Sequence, residues 1–115
     1  MRRSLTRHER LRGRQEIETV FARGSAYRCR GLAMKCSENG LSWSRVLVVS
    51  PRSVGKAVRR NRLRRIGKEI FRNIKYAVSG GYDYVFVVYP GDYSFRARRE
   101  QFIRVLGDAN LLTTL

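Results

Sequence analysis

The stretch "KAVRRNRLRRIGKEIFRNIKYAV", residues 56–78, constrains the fold more than any other part of the chain. Val58, Leu63, Ile66, Ile70, Phe71, Ile74 and Ala77 recur mostly at steps of three and four, which predicts one long helix with a single apolar stripe. That stripe needs a partner surface, so the chain must supply a sheet or other helices to cover it. Arg60, Arg64 and Lys68 fall on successive turns away from the stripe, with Arg65 and Arg72 beside them. Like charges at i and i+4 cost a few tenths of a kcal/mol per pair, and within residues 56–72 only Glu69 offers relief. One helix therefore carries a core face and a cationic ridge, and the ridge calls for a polyanion.

The rest of the chain has the same bias. Among 115 residues, 25 Lys and Arg stand against 9 Asp and Glu, a formal charge of +16, and only Lys35, Lys56, Lys68 and Lys75 among the cations are lysines. Self-repulsion of this size disfavours the compact state, and nucleic acid is the polyanion that best accounts for it. Arginine dominance agrees, because the guanidinium pairs phosphate bidentately and stacks on bases. A membrane surface fits less well. No apolar run approaches the roughly 20 residues of a spanning helix, and "MRRSLTRHERLRGR" lacks an apolar signal segment. The length allows one domain.

Elements to cover the stripe can be read on both sides of it. Residues 1–12 read as a basic, mobile arm, and a single domain is expected over 13–112. "RQEIETVFARG" carries Ile17, Val20 and Phe21 at helical spacing and stops at Gly24. Tyr27–Ser37 and Ser44–Ser50 read as strands, separated by "ENGLSW" with its Asn39-Gly40 turn. Pro51 and Gly55 end the second strand, and Gly80-Gly81 close the long helix. "YDYVFVVYP" is a continuous apolar strand, expected inside a sheet and ended by Pro90-Gly91. Ser94 can cap a last helix whose Phe95, Phe102, Val105 and Leu106 supply a core stripe. Helix, strands, helix, strand, helix make an α+β domain.

Two residues on the long helix stand out. Asn61 lies between Arg60 and Arg62, and its amide both donates and accepts, so it can reach a ribose or base edge. Gly67 is costly inside a helix, which predicts close approach of another backbone or a ligand. Cys29 and Cys36 give no disulfide framework and, with the lone His8 distant, no metal set; on one strand their offset of seven residues would place them on opposite faces. Both read as packing residues of a reducing cytoplasm. No metal or cofactor site is expected in the chain, and no catalytic group either, because the nine acids are scattered.

"GKAVRRNRLRRIGKEIFR" resembles the signature of the bacterial ribonuclease P protein subunit, with its RNR motif at Arg60, Asn61 and Arg62. "RQEIETVFARG" is similar to the family's first helix, "VVSPRSVGKAV" to the strand entering the basic helix, and "GYDYVFVVYPG" to the late strand. The resemblance implies a two-layer α/β sandwich, with a mostly four-stranded sheet, three helices and a left-handed βαβ crossover, like the second domain of ribosomal protein S5. It implies an accessory subunit that binds the catalytic RNA and the 5′ leader of precursor tRNA, while the RNA, with Mg2+, hydrolyses the phosphodiester. The chain is then expected to be cytoplasmic and monomeric, one per RNA, with no protein partner.

Carried over by position, Lys56, Arg59, Arg60, Asn61, Arg62, Arg64, Arg65 and Lys68 would contact ribonuclease P RNA. The leader cleft would fall at Ile17, Phe21, Ala33 and Lys35, with Arg65 and Lys68 at its rim. Alternation supports part of this, since Ala33 and Lys35 share a strand face less apolar than that of Leu32 and Met34. The family usually has aromatics where this chain has Ile17 and Lys35, lysine where it has Pro51, and often a cation where it has Tyr89. Phe21 is left either as a stacking platform for a leader base or as a core anchor.

Other function classes fit less well. A protein-only nuclease needs paired carboxylates, which no motif supplies. A double-stranded-RNA-binding domain would end with its basic helix, whereas here a strand and a helix follow; a general structured-RNA-binding or ribosomal protein stays open. A major-groove DNA reader would need a dimer with symmetric sites, for which there is no heptad or apolar patch.

Overall fold

The computed structural model describes residues 5–113. It has three helices and a four-stranded mixed sheet. The chain runs from a short 3-10 turn, Arg7–Glu9, into α1 (Arg14–Arg23), β1 (Ser25–Cys29), β2 (Leu32–Glu38) and β3 (Arg45–Val49). Helix α2 (Ala57–Ile74) continues through a 3-10 turn, Lys75–Ala77, to β4 (Tyr82–Val88) and α3 (Phe95–Asp108). Strand order is β1-β2-β4-β3; β2 pairs antiparallel with β1 and β4, while β3 and β4 are parallel neighbours joined through α2. The apolar run of β4 lies inside the sheet, as its composition requires. Ser94 caps α3, its hydroxyl accepting from the Ala97 N–H at 3.0 Å.

Alternation along the strands sorts the helices onto two faces. Leu32, Met34, Val46, Val48, Tyr84, Phe86 and Val88 meet Leu63, Ile70, Phe71 and Ile74 of α2 and Phe102, Val105 and Leu106 of α3 in the main core. Phe86 is its hub, with ring centroids 4.5 Å from Phe102 and 5.6 Å from Phe71. On the opposite face a smaller cluster joins Val20 of α1 to Val85 and Leu11, with Ile17, Leu47 and Val49 against it. The body is thus the sheet and the α2/α3 layer, with α1 on the other face.

Several sequence expectations need correction. The segment read as one strand from Tyr27 to Ser37 is a hairpin: the chain reverses at Arg30-Gly31, where Gly31 takes φ +87°, a conformation that side-chain-bearing residues rarely adopt. Cys29 and Cys36 consequently lie on neighbouring strands; both are free, and burial raises both thiol pKa values. Val58 is 76% exposed, because five residues before Leu63 place it about 140° around the helix from the buried stripe. Phe95 keeps the phase of the α3 stripe but is exposed, since burial on that helix begins at Arg98. Residues 1–4 of the supposed arm lie outside the described residues; residues 5–12 belong to the packed unit. Leu11 is 1% exposed and its N–H donates to the Val46 carbonyl at 2.9 Å, while Lys75 donates to Glu9 at 2.9 Å.

Gly67 is explained by the sheet. A Cβ there would lie 2.6 Å from Val48 Cγ1 and 3.1 Å from Val88 Cγ2, so side chains of β3 and β4 occupy the space, rather than the backbone or ligand expected from sequence. Gly67→Ala gains helix propensity of up to about 1 kcal/mol but overpacks a stiff β-branched contact, at a cost of roughly 1 to 3 kcal/mol. We expect a net loss, read as a lower denaturant midpoint at unchanged slope; a higher midpoint would show that the sheet yields.

Candidate nucleic-acid interface

Helical geometry divides the cations of α2. At about 100° per residue, Asn61, Arg64, Arg65, Lys68 and Arg72 fall on one flank and Arg59 and Arg62 on the other. The first flank forms, with Leu5 and Arg10, an open groove of about 540 Å3 that also includes Glu69. The second, with Lys56, faces the β4–α3 loop across a pocket of about 470 Å3. The ridge expected from sequence is therefore two basic surfaces back to back.

The individual side chains are not equivalent. Arg60 donates through Nη1 to the carbonyls of Val54 at 2.9 Å and Gly55 at 2.8 Å, so it fastens the loop before α2. Asn61 Oδ1 accepts from Arg64 Nη2, which orients that guanidinium along the groove. Arg72 pairs with Glu69 at 2.6 Å. Lys56, Arg59, Arg62, Arg65 and Lys68 are exposed and make no ion pair among the described residues.

The residues assigned to the leader cleft fall in two places. Ile17, Phe21, Ala33 and Lys35 lie on the α1 face: Phe21 is 42% exposed, Lys35 Nζ sits 5.7 Å from its ring centroid, and the same ammonium donates to the Phe21 carbonyl at 2.7 Å. Phe21 is therefore not a core anchor, and Lys35 secures the last turn of α1. Arg65 and Lys68 line the α2 groove instead. A smaller hollow of about 290 Å3 at the β3 edge connects Lys68 to Arg10, Leu11, Arg12 and Leu47, but does not include Phe21. Arg10 and Arg12 were missed as site residues because "RHERLRGR" carries no periodicity, although its charge density was the available signal.

Most of the acids are engaged within the fold. Asp83, the buried one, accepts from Arg45 at 2.8 and 2.7 Å and from Asn39 at 2.9 Å. Glu9, Glu18, Glu69, Glu100 and Asp108 each pair with a cation. Among the described residues no three His, Cys, Asp or Glu side chains converge as a metal set, and no helix is long and apolar enough to cross a membrane.

A family model described as Ribonuclease P matches residues 5–110. The chain belongs to the ribonuclease P protein family. It is 40% identical over 87 residues to the ribonuclease P protein component of Thermotoga petrophila, covering 76% of this chain and 74% of that one. The corresponding Borrelia hermsii protein is 40% identical over 81 residues, 70% of this chain and 71% of its own length. The solved RNase P protein of Thermotoga maritima superposes with a TM-score of 0.78 at 31% identity, covering 87% of this chain and 96% of that one. The Staphylococcus aureus RNase P protein, at 18% identity, shares the fold with a TM-score of 0.79 over 90% of this chain and 97% of that one. The chain is a protein subunit of ribonuclease P, a component of an endoribonuclease complex that processes tRNA.

In this ribonuclease P subunit the two arginines of the RNR motif sit differently, and stability separates them. Arg60→Ala removes two charge-assisted hydrogen bonds and should lower unfolding free energy by about 1 kcal/mol or more. Arg62→Ala, at an exposed position, should change it by less than about 0.5 kcal/mol. Equal thermal midpoints for the two variants would contradict this assignment.

Proposed function

We propose that this subunit binds ribonuclease P RNA through the two flanks of α2 and the 5′ leader of precursor tRNA through the α1 face, while the RNA carries out the hydrolysis. The observation that supports RNA binding most directly is the set of exposed cations that form no ion pair among the described residues, Arg59, Arg62, Arg65 and Lys68 on α2 and Lys56 at its N-cap. Each can bring a phosphate contact, and the arginines can make it bidentate. Arg64, oriented by Asn61, acts with them. Arg60 contributes by fixing the loop that leads into the helix.

Phe21 is the platform for a leader base: its ring is exposed, and the adjacent Lys35 ammonium places positive charge where the leader backbone would run. Ile17 and Ala33 line the same face. Arg65 and Lys68 belong to the RNA-binding groove, reached from this face only around the β3 edge. Magnesium acts with the RNA, a reading supported by acids that are scattered along this chain and mostly engaged with its own cations. The subunit works as a monomer, one per RNA, in the cytoplasm.

Two measurements test the reading. RNA-free protein should leave precursor tRNA intact but stimulate cleavage by the cognate ribonuclease P RNA at low magnesium; cleavage by the protein alone would overturn the division of labour. Phe21→Leu should weaken binding of long-leader substrate by about 1 to 3 kcal/mol, leaving leaderless substrate, RNA assembly and thermal stability nearly unchanged. Equal effects on long-leader and leaderless substrates would move the leader site elsewhere.

A further inference from the structure

The second flank of α2 has a feature that phosphate binding alone leaves unexplained. Val58 is 76% exposed on a helix whose leucine and isoleucines, Leu63, Ile66, Ile70 and Ile74, are all wholly or partly buried. It lines the 470 Å3 pocket together with Ile66 and Pro90, and the cations around it are Lys56, Arg59, Arg62 and Arg98; no Asp or Glu is among the lining residues. The pocket thus has an apolar floor and a cationic margin, and its volume fits one nucleotide.

Its far wall is held rigid by a buried cation. Arg98 is 2% exposed, donates through Nη1 to the Gly31 carbonyl at 3.1 Å and to Gln101 Oε1 at 3.2 Å, and donates through Nη2 to the Tyr89 carbonyl at 2.6 Å. The Tyr93 ring centroid lies 4.5 Å from its Cζ. Burial lowers the Arg98 pKa, and the residue forms no ion pair among the described residues. Carbonyl dipoles and a ring face solvate the guanidinium but leave its charge uncompensated, so the pocket it borders favours an anion.

We propose that this pocket takes one unpaired nucleotide of the ribonuclease P RNA, its base over Val58 and Ile66 against Pro90 and its phosphate on Arg59 and Arg62. The proposal rests on the reading that the chain assembles with that RNA. Base and phosphate are both required: the aliphatic floor contributes by excluding water from a base face, and the arginines supply charge.

Val58→Ser tests it, because an exposed side chain can be replaced without unfolding the helix. Affinity for the cognate RNA should fall about tenfold with the same salt dependence as wild type, whereas Arg62→Ala should reduce the salt slope by about one. A benzophenone-bearing amino acid at position 58 should crosslink to one unpaired nucleotide of the RNA subunit, and the same probe at position 68 serves as the reference for the opposite flank. Wild-type affinity for Val58→Ser, or crosslinks from position 58 only to precursor tRNA or to a protein, would overturn the pocket assignment while leaving RNA binding in place. Failure of wild-type protein to bind the RNA at all would instead overturn the proposed function, and this proposal with it.

Discussion

Helix α2 rests on the sheet through Gly67, where the absence of a side chain lets Val48 and Val88 approach the helix. Leu63, Ile70, Phe71 and Ile74 are buried around that point. Close contact on this face sets which residues point outward, so the orientation of every cation on the helix follows from the packing beneath it. The parallel pairing of β3 with β4 depends on the same contact, because α2 is the connection between the two strands and covers both.

Charge in this subunit is arranged by engagement rather than number. The acids are mostly used inside the fold: Asp83 holds Arg45 and Asn39 at one end of the sheet, and Glu9 ties the N-terminal segment to Lys75 beyond α2. Arg60, Arg64 and Arg98 are used inside the protein as well, on carbonyls and amide oxygens. The exposed cations of α2 form no ion pair among the described residues, and a chain of formal charge +16 gains most from a polyanion where those cations project. Under the proposed function, recognition and folding draw on different members of one arginine-rich segment.

Much of this was legible in the sequence because it is periodic. The stripe from Leu63 to Ile74 follows the helical repeat, β4 is too uniformly apolar for anything but an internal strand, and Gly67 marked a close contact before its partner was known. The hairpin at Arg30-Gly31 was hidden because alternation continues on both sides of a two-residue turn. Leu11 was missed because a single apolar residue in a basic run has no period, although it closes the second core. The division of the RNR motif into a loop-fastening Arg60 and an outward Arg62 depends on where the loop carbonyls lie, which is tertiary information. Phe21 remained open for the same reason: a lone aromatic on a short amphipathic helix is compatible with either face.

The central claim is that α2 engages RNA through phosphate contacts made by cations the fold leaves unpaired. It is tested most directly by the salt dependence of binding to the cognate ribonuclease P RNA. With about 6 to 10 phosphates neutralised, the logarithm of affinity should fall against the logarithm of salt concentration with a slope of about −5 to −9. A slope near zero would contradict the account, because it would mean that the exposed arginines and lysines of α2 do not release counterions from the RNA.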